Sequence, residues 1–173
     1  IDDYKKKGEF ITNFNKKNYY NLGCIKDVIK KNNNFRGIVG VGLNFIRKKI
    51  VTDINKINKN FKFQKIISKD AIINPDANID DGSLIMSGTV INCGTIIGKH
   101  CLLNTSSSID HDNFFGDYSG TGPGTITGGH VEVGEISYIG LGSIIKHEIK
   151  IAENTVIGFG SLIAKNCKKN SIY

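Results

Sequence analysis

A mainly β fold, a parallel β-helix of hexapeptide repeats preceded by a small α/β domain, is what this sequence predicts. Three observations predict it. A large apolar residue recurs every sixth position from Ile73 to Ile163, a small residue stands two places before it, and Gly, Asn or Asp often follows it.

The large column runs Ile73, Ile79, Ile85, Ile91, Ile97, Leu103, Ile109, Phe115, Thr121, Thr127, Val133, Ile139, Ile145, Ile151, Ile157 and Ile163, with 14 of 16 places large and apolar. The small column is its partner, from Ala71 to Ser161, and only Asn113, Val131 and Ile149 depart from Ala, Ser, Thr or Cys. Side chains two apart in a strand share a face, so both columns point inward. Asn74, Asp80, Asn92, Gly98, Asp110 and Gly140 follow the large residue and suit the left-handed backbone of a tight corner. A short strand plus a corner every six residues makes a three-sided coil of 18, and stacked coils lie about 4.8 Å apart. A helix is excluded, because a 3.6-residue period cannot hold a six-residue column on one face.

Residues 1–70 have no hexad. Residues 24–31 (CIKDVIKK) carry a short amphipathic pattern and 36–42 (RGIVGVG) a β-rich run. Residues 44–58 (NFIRKKIVTDINKIN) read as a helix with Asn44 as N-cap, and FKFQKIIS (61–68) as a strand. Alternating helix and strand suggests an α/β unit on a parallel sheet. Gly40 and Gly42 end a strand just before a helix N-terminus, a place that suits a phosphate. The domains are therefore 1–68 and 69–173.

Charge divides the chain at the same place. Residues 1–70 hold 17 Lys+Arg against 6 Asp+Glu, and residues 71–173 hold 6 against 10. No basic stripe interleaved with aromatics is present, so no nucleic-acid partner is expected. No apolar run approaches the length of a membrane span. Cys24, Cys93, Cys101 and Cys167 include no CxxC pair, which leaves no thiolate zinc site and suits a reduced, cytoplasmic setting.

The 18-residue coil decides which histidines meet. His111, Gly129 and His147 share a column, placing His111 and His147 about 10 Å apart, too far to share a metal. His100 and His130 stand in other columns, so no metal cluster within the chain is expected. His111 lies in NTSSSIDHDN (104–113), between Asp110 and Asp112. A carboxylate beside an imidazole orients it and raises its basicity, as a general base requires. Gly129, stacked on His111, offers a backbone N–H to a developing oxyanion. The plainer reading is a surface histidine among solvated aspartates.

NTSSSIDHDN and the unbroken repeat resemble the left-handed β-helix sugar acetyltransferases. The branch they resemble pairs a Rossmann-like domain with the β-helix and comprises UDP-amino-sugar N-acetyltransferases and sialic-acid O-acetyltransferases of bacteria. IDD (1–3) and GVGLNFIRKKI (40–50) share in the likeness. The resemblance implies a homotrimer with acetyl-CoA between adjacent β-helices and no metal. It implies His111 as base, Asp112 as its partner, Gly129 as donor to the acetyl carbonyl and Asn104 at the mouth of the site. Contacts to acetyl-CoA would fall on Gly120, Leu141 and Phe159, and contacts to a nucleotide sugar on Asp2, Asp3 and Gly42.

Gly120 stands where relatives often carry a second histidine. The resemblance also implies a first strand and glycine-rich turn before Ile1, and a basic tail after Tyr173. The function implied is acetyl transfer from acetyl-CoA to the amine of a UDP-4-amino sugar in polysaccharide biosynthesis. The alternative is O-acetylation of a sialic-acid-like sugar. A carbonic-anhydrase-like zinc enzyme would want histidines five apart, and no HxxxxH pair exists. A non-catalytic scaffold differs from the enzyme in the expected effect of His111→Ala, about 10²–10⁴ in rate for a general base.

Overall fold

The computed structural model of the chain describes residues 6–14, 16–20, 22–31 and 35–173. They include β1 (Phe10–Phe14), β2 (Lys17–Tyr20), α1 (Ile25–Lys31), β3 (Arg36–Gly37), α2 (Asn44–Ile57) and β4 (Lys62–Phe63), followed by seventeen two-residue strands, β5 (Ile66–Ile67) to β21 (Leu162–Ile163). The chain divides into two compact units, 1–36 with 50–62, and 37–49 with 63–173. The first coil opens at Ile66, so the boundary expected between 68 and 69 falls inside the repeat. No helix among the described residues is long and apolar enough to cross a membrane.

In the first unit, β1 and β2 pair antiparallel, with Asn13 facing Asn18. β3 and β4, which flank α2 in the chain, pair in a two-stranded sheet, and no larger sheet is found in the front region among the described residues. FITNF and KNYY form a hairpin, with Lys16 at φ 62° just before the second strand, where the sequence predicts no hairpin.

The second unit is a parallel β-helix. Strands 18 residues apart pair in parallel, as Ile96 with Phe114 and Ser108 with Ile126. The three faces are one five-stranded and two six-stranded sheets. Ile85, Ile97, Leu103, Ile109, Phe115, Ile139, Ile151 and Ile157 are fully enclosed. Each such side chain contributes about 1.5–3 kcal/mol through burial, and their alignment fixes the register.

The small column does more than leave room. Ser83 Oγ donates to Gly98 O (2.7 Å) and accepts from Cys101 N (2.9 Å), and Ser137 does the same with Ala152 O and Thr155 N. Buried hydroxyls thus satisfy corner groups that the strands leave unpaired. The left-handed corner residue is not the one directly after the large residue, as expected, but two places further on. It is Gly82, Gly88, Gly94, Gly124, Gly142 and Gly160, and in between His100, Ser106, Asp112, Tyr118, His130, Ile136, Glu148 and Asn154, all with positive φ. The Asn and Asp residues after the large column brace the turn instead, as when Asn104 Oδ1 accepts from Thr105 N (2.8 Å).

Within the second unit, residues 37–49 are anchored on the β-helix by Arg47, which is 1% exposed. Its guanidinium donates to Val41 O (2.7 Å), His100 O (2.7 Å), Tyr118 O (2.9 Å) and Asn44 Oδ1 (2.8 Å). Asn44 is not the N-cap it was expected to be. Leu43 O accepts the first helical bond, from Arg47 N, while the Asn44 amide donates to Ile136 O and Ser137 O. The side chain serves the packing between helix and β-helix in preference to its own helix end.

Candidate active site

His111 lies on the corner 110–113, between the strands Ser108–Ile109 and Phe114–Phe115. The corner is braced from three sides. Asp110 Oδ1 accepts from His111 N (2.8 Å) and from Asn92 Nδ2 (3.1 Å) one coil away. Asp110 O accepts from Thr95 Oγ1 (2.8 Å) and Asn113 Nδ2 (2.6 Å). Asn113, an exception to the small column, also donates to Gly128 O and accepts from Val131 N. It ties the corner of His111 to the corner of Gly129.

The imidazole meets a carboxylate. His111 Nδ1 is 2.8 Å from Asp112 Oδ2, and the two side chains are 45% and 50% exposed. With Nδ1–H donating to Asp112, the lone pair of the neutral ring stays on Nε2. The hydrogen bond with Asp112 raises the His111 pKa above its usual 6.5, outweighing desolvation, which lowers it, and the charges of Asp110 and Asp112 add smaller upward contributions. Such a ring is a stronger base than a solvated histidine.

Gly129 is stacked on His111 as the 18-residue coil requires. A Cβ there would lie 2.5 Å from His111 Cε1 and 2.6 Å from Nε2, so only glycine lets the ring occupy this place. Nothing among the described residues accepts a hydrogen bond from the Gly129 N–H. Gly94, one coil away from Asp112 on the other side, is likewise pressed against that carboxylate.

His130 does not keep the separation from His111 that the column spacing predicts. It stands 18 residues after Asp112, not after His111, and the corner brings all three together. His130 Nε2 is 3.8 Å from Asp112 Oδ2, its ring centroid is 5.1 Å from that of His111, and one ligand atom of each residue lies within 4.8 Å of the others. A cluster able to hold a metal therefore exists within the chain, where none was expected. Residues 18 and 19 apart are both neighbours at a corner, whereas a column relates only residues 18 apart. His147 is exposed one coil beyond Gly129.

The other expected site residues fall in three places. Asn104 begins the corner at the opposite end of the strand Ser108–Ile109, and its N–H donates to Thr121 Oγ1 (3.1 Å). Leu141 (46% exposed) and Phe159 (71% exposed) stand in the same corner column, one and two coils beyond Pro123, linked through Gly142 N to Pro123 O and Gly160 N to Leu141 O. Gly120 is not with them. It is buried in a strand between Leu102 and Tyr138, where a Cβ would lie 2.8 Å from Leu102 O and 3.5 Å from Asn44 Oδ1. The absence of a side chain there leaves room for α2. Gly42 is exposed next to the start of α2, and its carbonyl accepts from Arg47 Nη1 (3.2 Å). Asp2 and Asp3 lie outside the described residues.

The sequence matches no protein-family model and no curated protein. Solved structures do match. The acetyltransferase domain of PglB from Neisseria gonorrhoeae superimposes with a TM-score of 0.82 at 25% identity over 97% of this chain and 78% of that one. In complex with acetyl coenzyme A it gives 0.77 at 27% identity over 84% and 70%. PerB from Caulobacter crescentus, in complex with CoA and GDP-perosamine, gives 0.79 at 25% identity over 84% and 70%. These structural neighbours are coenzyme A-dependent sugar acetyltransferases, and they share the β-helix with this chain.

Proposed function

We propose that this chain is a subunit of a left-handed β-helix acetyltransferase, a homotrimer that moves acetyl from acetyl-CoA to the amine of a UDP-4-amino sugar. The observation that carries the reading is the His111–Asp112 pair, 2.8 Å apart and seated against Gly129. His111 Nε2 takes the proton from the amine as the nitrogen attacks the thioester carbonyl. Asp112 holds the ring in the required tautomer and stabilises the imidazolium that forms. The Gly129 N–H, which has no acceptor among the described residues, donates to the carbonyl oxygen as it gains charge. Return of the proton to the leaving thiolate completes the transfer.

The positions of the two corners support assembly into a trimer. His111 and Asp112 stand at one edge of a face, and Asn104, Leu141 and Phe159 at its other edge. Between them the face presents Ile72, Ile126, Ile144 and Leu162 outward, all at least 46% exposed. An apolar stripe of this kind marks an interface. Packed against another copy, it brings the apolar corner of one subunit toward the base of the next, with acetyl-CoA between them. The nucleotide sugar is assigned to Gly42, Asp2 and Asp3 in the front segment. The Arg47 guanidinium is occupied by backbone carbonyls and takes no part in phosphate binding. A cytoplasmic location and a role in polysaccharide biosynthesis follow from the co-substrates proposed.

The test is coenzyme A release from acetyl-CoA with UDP- and GDP-linked 4-amino sugars and with a sialic acid, for the wild type and His111→Ala. Turnover with a nucleotide amino sugar, reduced about 10²–10⁴-fold in the variant, is the expected result. Turnover with the sialic acid alone replaces the amine by a hydroxyl acceptor, and an unchanged rate in His111→Ala ends the assignment of the base.

A further inference from the structure

We propose that His111 Nδ1, Asp112 Oδ2 and His130 Nε2 form a binding site for one divalent transition-metal ion, zinc above all, and that the bound ion switches off the base. The binding part stands on geometry alone, while the inhibition rests on the function proposed above.

Two imidazoles and a carboxylate, with a position left to water, match the donor set of open zinc sites. Bonds of about 2.0–2.1 Å in a tetrahedron set neighbouring ligand atoms about 3.3 Å apart. The distances here, 2.8 Å from His111 Nδ1 to Asp112 Oδ2 and 3.8 Å from His130 Nε2 to the same oxygen, fall on either side of that value. All three ligand atoms lie within 4.8 Å of one another, so the side chains close inward on a bound ion.

The ligands are presented by a rigid frame. Asp112 and His130 occupy the same left-handed corner position in successive coils, with φ of 55° and 57°. His130 N donates to His111 O (3.1 Å), which fixes the two corners relative to each other. Gly94 limits the retreat of the Asp112 carboxylate and Gly129 that of the His111 ring. Half-exposed side chains give an ion direct access from solvent.

Occupancy and base catalysis exclude one another. A neutral imidazole has a single lone pair and a single N–H. When the ion takes the lone pair of Nδ1, the proton resides on Nε2, and that nitrogen can no longer accept a proton from the amine. Asp112 is drawn from its hydrogen bond at the same time. His130, which the acetyl transfer does not use, is the residue that turns the dyad into a metal site.

The experiment titrates zinc chloride into the wild type, His130→Asn, Asp112→Asn and His147→Asn by calorimetry, and uses cobalt chloride for the visible spectrum of the site. Asparagine is chosen because it tolerates the left-handed corner, and each fold is checked by its thermal unfolding. The proposal expects one zinc per wild-type chain and a tetrahedral cobalt spectrum. It expects affinity to fall more than about tenfold in His130→Asn and Asp112→Asn, since even outer partners of a ligand are worth about 10–100-fold. His147→Asn should bind as the wild type does. Zinc should inhibit coenzyme A release by the wild type, reversibly with a chelator, at a concentration that rises more than tenfold for His130→Asn. Equal affinity in the wild type and His130→Asn, or no binding by the wild type, overturns the proposal. Zinc binding lost in His130→Asn, in a protein that releases no coenzyme A from any substrate, upholds the site and instead defeats the acetyltransferase reading.

Discussion

Gly129 lies against the imidazole of His111 so closely that a Cβ on the glycine would come within 2.5 Å of the ring. Because the ring is half exposed, it can swing away, so a methyl group there should displace the base without unfolding the coil. Gly129→Ala is expected to lower the rate of coenzyme A release about 10²-fold or more while the unfolding temperature stays within a few degrees. A rate within twofold of the wild type would show that the seat of the ring does not matter.

The pH dependence of the rate follows from Asp112. A base must be unprotonated to act, and the hydrogen bond to Asp112 raises the pKa of His111 above 6.5. The acid limb of kcat/KM should therefore lie above pH 6.5, with activity lost as the pH falls through it. Asp112→Asn removes the carboxylate, so its acid limb should move to lower pH even as its maximal rate drops. Superimposable limbs in the two proteins would separate Asp112 from the titration of His111.

His100 predicts a different pH effect, on stability. It is 6% exposed, its ring stacks on Tyr118 at 5.0 Å and meets Phe63 in a T-shaped contact at 4.6 Å, and its Nδ1 has no hydrogen-bond partner among the described residues. Burial lowers its pKa from 6.5 to about 4. The unfolded chain thus takes up the proton first, so the stabilisation is complete above pH 6.5 and is lost as the pH falls through about 4. Denaturant unfolding at pH 7.0 and 4.5 should show this loss, and His100→Asn should flatten the difference. Equal pH sensitivity in both proteins would place the acid-sensitive group elsewhere.

Arg47 holds at least four acceptors in a buried place. Arg47→Met keeps much of the stem but leaves those carbonyls short of a donor. The cost expected is about 2–4 kcal/mol, since each buried group left unsatisfied costs about 1–3 kcal/mol and some find water. Urea unfolding measures it, and a change below about 0.5 kcal/mol would mean that the carbonyls rehydrate freely.

Asn113→Ala restores the small residue that the repeat calls for. The Val131 N–H then loses its acceptor and Asp110 O one of its donors. A loss of about 1–3 kcal/mol should accompany a drop in turnover, because the same amide aligns the corners of His111 and Gly129. Unchanged turnover with reduced stability would confine Asn113 to the fold.

The β-helix was legible because each buried position repeats every six residues, and sixteen repeats leave one register that buries them all. His111, Asp112 and Gly129 were legible for the same reason, since the 18-residue coil converts sequence spacing into distance. Departures from the repeat pointed to the same place. Thr121 and Thr127 in the large column accept from Asn104 N and Asp110 N, and Asn113 in the small column braces the corner of His111. The front region carries no repeat, so its hairpin, the diverted side chain of Asn44 and the buried Arg47 could not be read from spacing.

What the sequence determined by itself is thus the coil, its interior and the pairing of His111 with Asp112 under Gly129, all consequences of a fixed period. What only the tertiary structure decided is where side chains turn at a corner: His130 beside Asp112, Gly120 closed over by Asn44, and the left-handed residue three places after the large one. Those choices depend on hydrogen bonds between groups in different coils, and a one-dimensional period holds the positions of such groups but not their directions.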